Sequence, residues 1–343
     1  MRKRFRVVPC RRLGARRGRL LALSALAVVA MGAMGWTVAA GATGGGDPLP
    51  WPSLLPPLPV STEVQPHGVV HCRRASLGCI DGLLTRLNAQ WRPLDAACDH
   101  RALFSLAYIR ITEGLRQAIA TNQLRYPRWM EYVITDFSNH YFQVFDDYQR
   151  GRTVPYAWKV TFDEAMHGDA SGGQDTLLAS NAHTQHDLPY IYAEMGLRTP
   201  AGASRKPDHD KVNDINDQVF RGLEDYYAKY YDPSFKYFEM TPLQGDKRGV
   251  LETVKAWREG AWRNAERLMN ARTEAERQAV ERSIDANSAA WADMIRAGDV
   301  PGYRQQRDAY CRAAHGRSGP QPSQPSGPAA VPLPPRIPAL PAP

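Results

Sequence analysis

The stretch "SNAHTQHDLP", residues 180–189, sets two histidines and an aspartate within five positions. His183, His186 and Asp187 stand at i, i+3 and i+4, so on a helix they share about a third of the circumference. Neutral imidazole and carboxylate are ligands for zinc, iron or manganese. Metal-bound water becomes acidic enough to supply hydroxide at neutral pH, and a spare carboxylate takes the proton. The spacing is neither the His-Glu-x-x-His of zinc proteases nor the Glu-x-x-His of di-iron bundles. A metal-free role needs the same residues, with Asp187 orienting a histidine that acts as general base.

A second polar group lies in "PDHDKVNDIND", residues 207–217. Asp210, Asn213, Asp214 and Asp217 recur along one side of a helix, where like charges repel unless a cation or histidine faces them. The expected site is therefore two-sided. His183, His186 and Asp187 form one wall and Asp210 and Asp214 the other, around a divalent ion, with Asp187 and Asp214 as the catalytic carboxylates. Asp136 and His140, four apart, are a weaker pair. A solvated helix face or a buried hydrogen-bonded network accounts for the same residues without any ligand. These readings stay open.

The elements that would carry these residues read as helices. Val160 to Leu197 contains no Lys or Arg, although exposed helix faces usually carry them. Apolar stripes at helical spacing run over 79–91, 100–120 and 126–148, and helices are also expected over 155–166, 175–196, 208–231, 250–269, 273–295 and 303–314. Asp208 is placed as an N-cap, and Thr273 with Glu276 fits a capping box. Strand-like alternation is nearly absent. The fold class is all-α, a single large multi-helix bundle over 68–316. A Pro-rich linker at 43–67 precedes it and a Pro-rich tail at 317–343 follows it. Both are expected to be extended or disordered and to build no core.

Charge and cysteines place the chain in a compartment. The formal net charge is +8, but nine of the 43 Lys and Arg fall within 1–42, which holds no acid. Without that segment, 34 basic residues face 35 acidic ones. No basic stripe remains, so nucleic acid is not an expected partner. A basic head followed by the apolar run 20–42 is the pattern of an export signal. Arg16–Arg17 before Leu20–Leu21 resembles a twin-arginine signal. If uncleaved, this segment would be the chain's one membrane contact. The expected localisation is secreted or cell-envelope associated. Four cysteines remain beyond Cys10, and the expected disulfides are Cys72–Cys79 and Cys98–Cys311.

"FDEAMHGDASGGQDTLLASNAHTQHDLP", "YPRWMEYVITDFSNHYFQVFDDY" and "DHDKVNDIND" together resemble blocks of domain-of-unknown-function family 5995. The resemblance spans roughly 75–235 and places the family's polar motif on Asn181, His183, His186 and Asp187. It implies where to look and brings no activity. The charged hairpin after 245 lies outside the resemblance.

The expected function is thus an exported helical protein with a His/Asp site between helices, acting as a metal-dependent hydrolase on a small-molecule or envelope substrate. The alternative is a non-catalytic envelope binding or scaffold protein whose His/Asp cluster is structural.

Overall fold

A computed structural model describes residues 50–56, 77–237 and 248–316. The expected export segment, most of the Pro-rich linker, the whole Pro-rich tail and Cys72 lie outside the described residues. The described residues form a helical bundle, and their single β pairing is an isolated bridge between Arg198 and Ser204.

Chain order runs α1 (Trp51–Leu54), α2 (Leu77–Ala97), α3 (Ala102–Ala120), α4 (Pro127–Gln149), α5 (Tyr156–His167) and α6 (Gly172–Asn181). A π-helical turn, Ala182–Asp187, joins α6 to α7 (Leu188–Met195) without a break. Next come α8 (Lys206–Tyr230), a 3-10 turn (Pro233–Tyr237), α9 (Arg248–Asn270), α10 (Glu274–Arg296) and α11 (Tyr303–Ala314). The expected helices are all present. Thr273 closes the expected capping box with Glu276 at the start of α10. Ser171 and Gln174 form another at α6.

Asp208 is not the N-cap of its own helix. It lies within the first turn of α8, is 2% exposed, and accepts the backbone N–H groups of Arg125 and Tyr126 at 2.8 and 2.6 Å. It satisfies amides at the start of α4, which have no intrahelical acceptor. Part of the Pro-rich linker also departs from expectation. Trp51 on α1 donates its indole N–H to Glu252 of α9 at 3.2 Å, and Arg263 of α9 reaches the carbonyls of Pro52 and Pro56.

One continuous core joins the helices. The α3–α8 pairing depends on Gly114, where an added Cβ would sit 2.6 Å from Ile215 Cγ2. The chain's last helix is tied down twice. Cys98 and Cys311 form a disulfide across 213 residues, and Cys79 is also disulfide-bonded. Arg307, 3% exposed, pairs with Asp175 and lies 2.9 Å from His100 Nδ1. Arg304 donates to the carbonyls of Glu164, Ala165 and Gly168 at the end of α5. The Lys/Arg-free window is thus supplied with cations from a distant helix.

The π turn lies where α4, α5, α9 and α10 converge on it. Pro189 accounts for its position. Proline has no N–H for the carbonyl four residues back, and its ring crowds that carbonyl. The helix widens just before Pro189, and Leu188 N–H reaches His183 O, five residues earlier. Such widened turns recur at functional sites.

Candidate functional site

Asp187 is fully buried and is the hub of the site. His183, one π turn earlier, donates Nδ1–H to Asp187 Oδ2 at 3.0 Å. Trp158 of α5 donates its indole N–H to the same oxygen at 2.9 Å. His140 of α4 brings Nδ1 to 3.4 Å from it, an ion pair more than a well-directed hydrogen bond. The other oxygen, Oδ1, accepts His186 Nδ1 at 2.7 Å. His186 then spans to α10, with Nε2 3.2 Å from Asp285 Oδ1. Burial pushes the Asp187 carboxyl up, but the imidazoles of His140, His183 and His186 outweigh burial and hold it well below the usual carboxylate range. Asp187 is therefore a buried anion whose charge is compensated by donors on three elements.

His183 sits in an aromatic box. Phe137 stacks on its ring with centroids 3.4 Å apart, and Tyr108 meets it edge-on at 5.0 Å. Burial lowers the His183 pKa despite the neighbouring carboxylate. A carboxylate only accepts, so the neutral ring keeps its proton on Nδ1 and leaves a lone pair on Nε2. That nitrogen is buried and has no hydrogen-bond partner among the described residues. His183 lines a cavity of about 60 Å³, together with Ser180, Thr184 and apolar side chains of α3, α4, α8 and α9. His140 is the opposite case. Asp187 raises its pKa against burial, and its side chain is 40% exposed.

A second layer fixes the π turn. Gln185 donates to Asn181 Oδ1 at 2.7 Å, Asn181 donates to Ser288 O at 2.8 Å, and Asn287 donates to Gln185 Oε1 at 2.5 Å. Asn287 and Ser288 belong to α10, so the charged hairpin helps build the site.

The structure sorts the five expected site residues into two groups. His183, His186 and Asp187 converge as described. Asp210 accepts Lys206 at 2.6 Å, and Asp214 accepts Lys211 at 2.9 Å. Those local pairs, at i+4 and i+3 on one helix, relieve the acidic stripe without any facing wall. Neither aspartate makes a contact with the Asp187 group among the described contacts. Asp210 instead belongs with His209 and Glu259, whose ligand-type atoms lie within 4.8 Å of one another. There the Lys206 ammonium bridges Asp210 and Glu259 at 2.6 and 2.7 Å. Burial, then the charges of Arg258 and Lys206, hold His209 well below the usual imidazole range. The other convergent group, Cys98, Cys311 and His315, is committed to the disulfide.

The polar motif with its π turn lies inside the region that matches the model of DUF5995, a family of unknown function, over residues 80–298. The chain belongs to this family. DUF5995 extends beyond the resemblance read from the sequence, because the match runs through α9 and all of α10. Asp285, Asn287 and Ser288 therefore fall within the family region. No curated protein and no solved structure matches the chain.

Trp158 and Asp285 were not foreseen. Neither has a local signature, since each reaches the site from another helix. Among minor candidates, His140 joins the network.

Proposed function

We propose that the cavity beside His183 binds a small, largely apolar molecule and that His183 acts on it as a metal-independent general base. The observation that carries this is the His183 ring itself. One nitrogen is held by the buried Asp187 carboxylate, and the other lies without a partner at the cavity. A base oriented by an acid and facing a pocket is the arrangement that general-base catalysis needs. Hydrolysis is the reaction class: Nε2 takes a proton from water as the hydroxide adds to a carbonyl carbon, and the same imidazolium returns the proton to the leaving group. Ser180 and Thr184 line the cavity and offer hydroxyls to that water.

A divalent ion held by His183, His186 and Asp187 fits this geometry poorly. Both Asp187 oxygens already accept N–H donors, and both His186 nitrogens face carboxylates. His183 Nε2 is the one lone pair left over, whereas a catalytic zinc needs three protein ligands. The paired cysteines and the N-terminal signal pattern support an exported protein working in an oxidising compartment.

Short-chain esters are the test substrates, assayed with a chelator present. The wild-type protein is expected to hydrolyse them without loss on chelation, and His183→Gln to lower the rate by about 10²–10⁴-fold. Activity that chelation abolishes, or that survives His183→Gln, would sink this reading. The saturation of Asp187 favours a second reading, a binding protein in which the network is structural. Ligand binding with no turnover of any ester would select it.

A further inference from the structure

Arg258 of α9 is 6% exposed, and no carboxylate among the described residues pairs with it. Its Nε donates to Asn213 Oδ1 and its Nη2 to His209 O, both at 2.8 Å and both neutral acceptors. The hydroxyl of Tyr192, another neutral group, also hydrogen-bonds to the guanidinium. The nearby acids are engaged elsewhere, Asp210 and Glu259 by Lys206 and Asp217 by Lys255. His209, which touches the guanidinium, is neutral partly because of that charge. A buried cation without a counter-ion is costly unless something else compensates it.

Arg258 lines the same cavity as His183. On α8, Asn216 lines the cavity as well and is buried, and its Oδ1 has no hydrogen-bond partner among the described residues. The Asn216 amide can turn to present its NH2 group instead. The cavity lining supplied by α8 and α9 is otherwise apolar, with Val212, Phe220 and Val254.

We infer that the Arg258 end of the cavity binds the carboxylate of a small amphipathic acid, whose apolar tail lies along Val212, Phe220 and Val254. Rotated in this way, Asn216 adds a second donor. One guanidinium and one amide match a planar monoanion. A phosphate dianion would keep an uncompensated charge, because no other Lys or Arg lines the cavity among the described residues. The cavity of about 60 Å³ favours short chains, since a single water needs roughly 10–15 Å³. The inference rests on the cavity being a ligand site, as the proposed function also requires.

The experiment compares butanoate and hexanoate with 1-butanol, 1-hexanol and butyl phosphate, by calorimetry and ligand-observed NMR. The full chain and its Arg258→Met variant are both used. Wild type is expected to bind each carboxylate at least tenfold more tightly than the alcohol of equal length. Arg258→Met should lose that preference and keep the alcohol affinity. Equal binding of acid and alcohol by wild type overturns the inference without needing the variant, as does stronger binding of butyl phosphate. A carboxylate preference that persists in Arg258→Met also overturns it. Alcohol binding, or ester hydrolysis dependent on His183, without carboxylate preference defeats the Arg258 assignment alone. No binding of any probe defeats the ligand cavity as well.

Discussion

His183 and Asp187 face each other across a single π turn, with Nδ1 3.0 Å from Oδ2. In a regular helix, residues four apart also meet, but here the wider turn ends at Pro189. The same backbone irregularity turns His186 to the other carboxylate oxygen. One aspartate is thus shared by two histidines of one turn while Trp158 and His140 close it from other helices.

The first prediction concerns that sharing. Asp187→Asn keeps the volume, but places an amide NH2 against N–H donors and removes the anion they face. Breaking a buried ionic group from one side costs about 3–5 kcal/mol. Trp158→Phe deletes one donor and leaves the anion with its histidines, which should cost about 1–3 kcal/mol. Urea unfolding of both variants checks the ranking. Equal losses would contradict Asp187 as the hub.

Much of this arrangement was legible in the sequence, and the exceptions have physical reasons. The helices follow from apolar spacing, and the Asn181–Asp187 motif led to the site. The i, i+3, i+4 spacing reads as a regular helix, although Pro189 is a visible reason for the ladder to open just before it. Asp210 and Asp214 pair with Lys206 and Lys211 within four residues on their own helix, so the acidic stripe has a local partner that spacing alone does not reveal. Trp158 and Asp285 could not be inferred, since only tertiary packing brings α5 and α10 to the π turn.

The second prediction is a pH dependence from buried imidazole. Burial puts the folded pKa of His183 and of His209 below the ordinary 6.5. The unfolded chain then binds these protons more readily, so their contribution to stability is full above about 6.5 and is lost as pH falls. His140, raised by Asp187, has the opposite sign: its contribution is present below 6.5 and lost as pH rises through its folded value. His209→Gln should therefore flatten the loss of stability between pH 7 and 5, seen in denaturation midpoints. A variant with the wild-type slope would show that His209 is not buried neutral.

Glu164 supplies a third test, with the reverse sign. Burial, then the neighbouring Asp299, push its carboxyl from 4.5 up to about 7. Between those values the folded state holds the proton that the unfolded chain has released. Stability from this group is thus full below 4.5 and declines as pH rises through 7. Glu164→Gln mimics the protonated form, so its stability relative to wild type should rise between pH 4.5 and 7.5. A constant difference across that range would rule out the proton.

The last prediction concerns the disulfide that closes the bundle. Cys98 ends α2 and Cys311 lies on α11, so the bond encloses α3 through α10. In the chain-entropy treatment a loop this long contributes about 5 kcal/mol. The buried Arg307–Asp175 pair and His100 hold the same helix non-covalently, so Cys98→Ser/Cys311→Ser should remain folded at low denaturant while losing most of that amount. The Asp187 network contains no residue of α11, so the NMR signal of the Trp158 indole N–H should keep its wild-type position in the double variant. A shifted Trp158 signal would mean that the site depends on the tether. An unchanged denaturation midpoint would mean that the ion pair alone secures the helix.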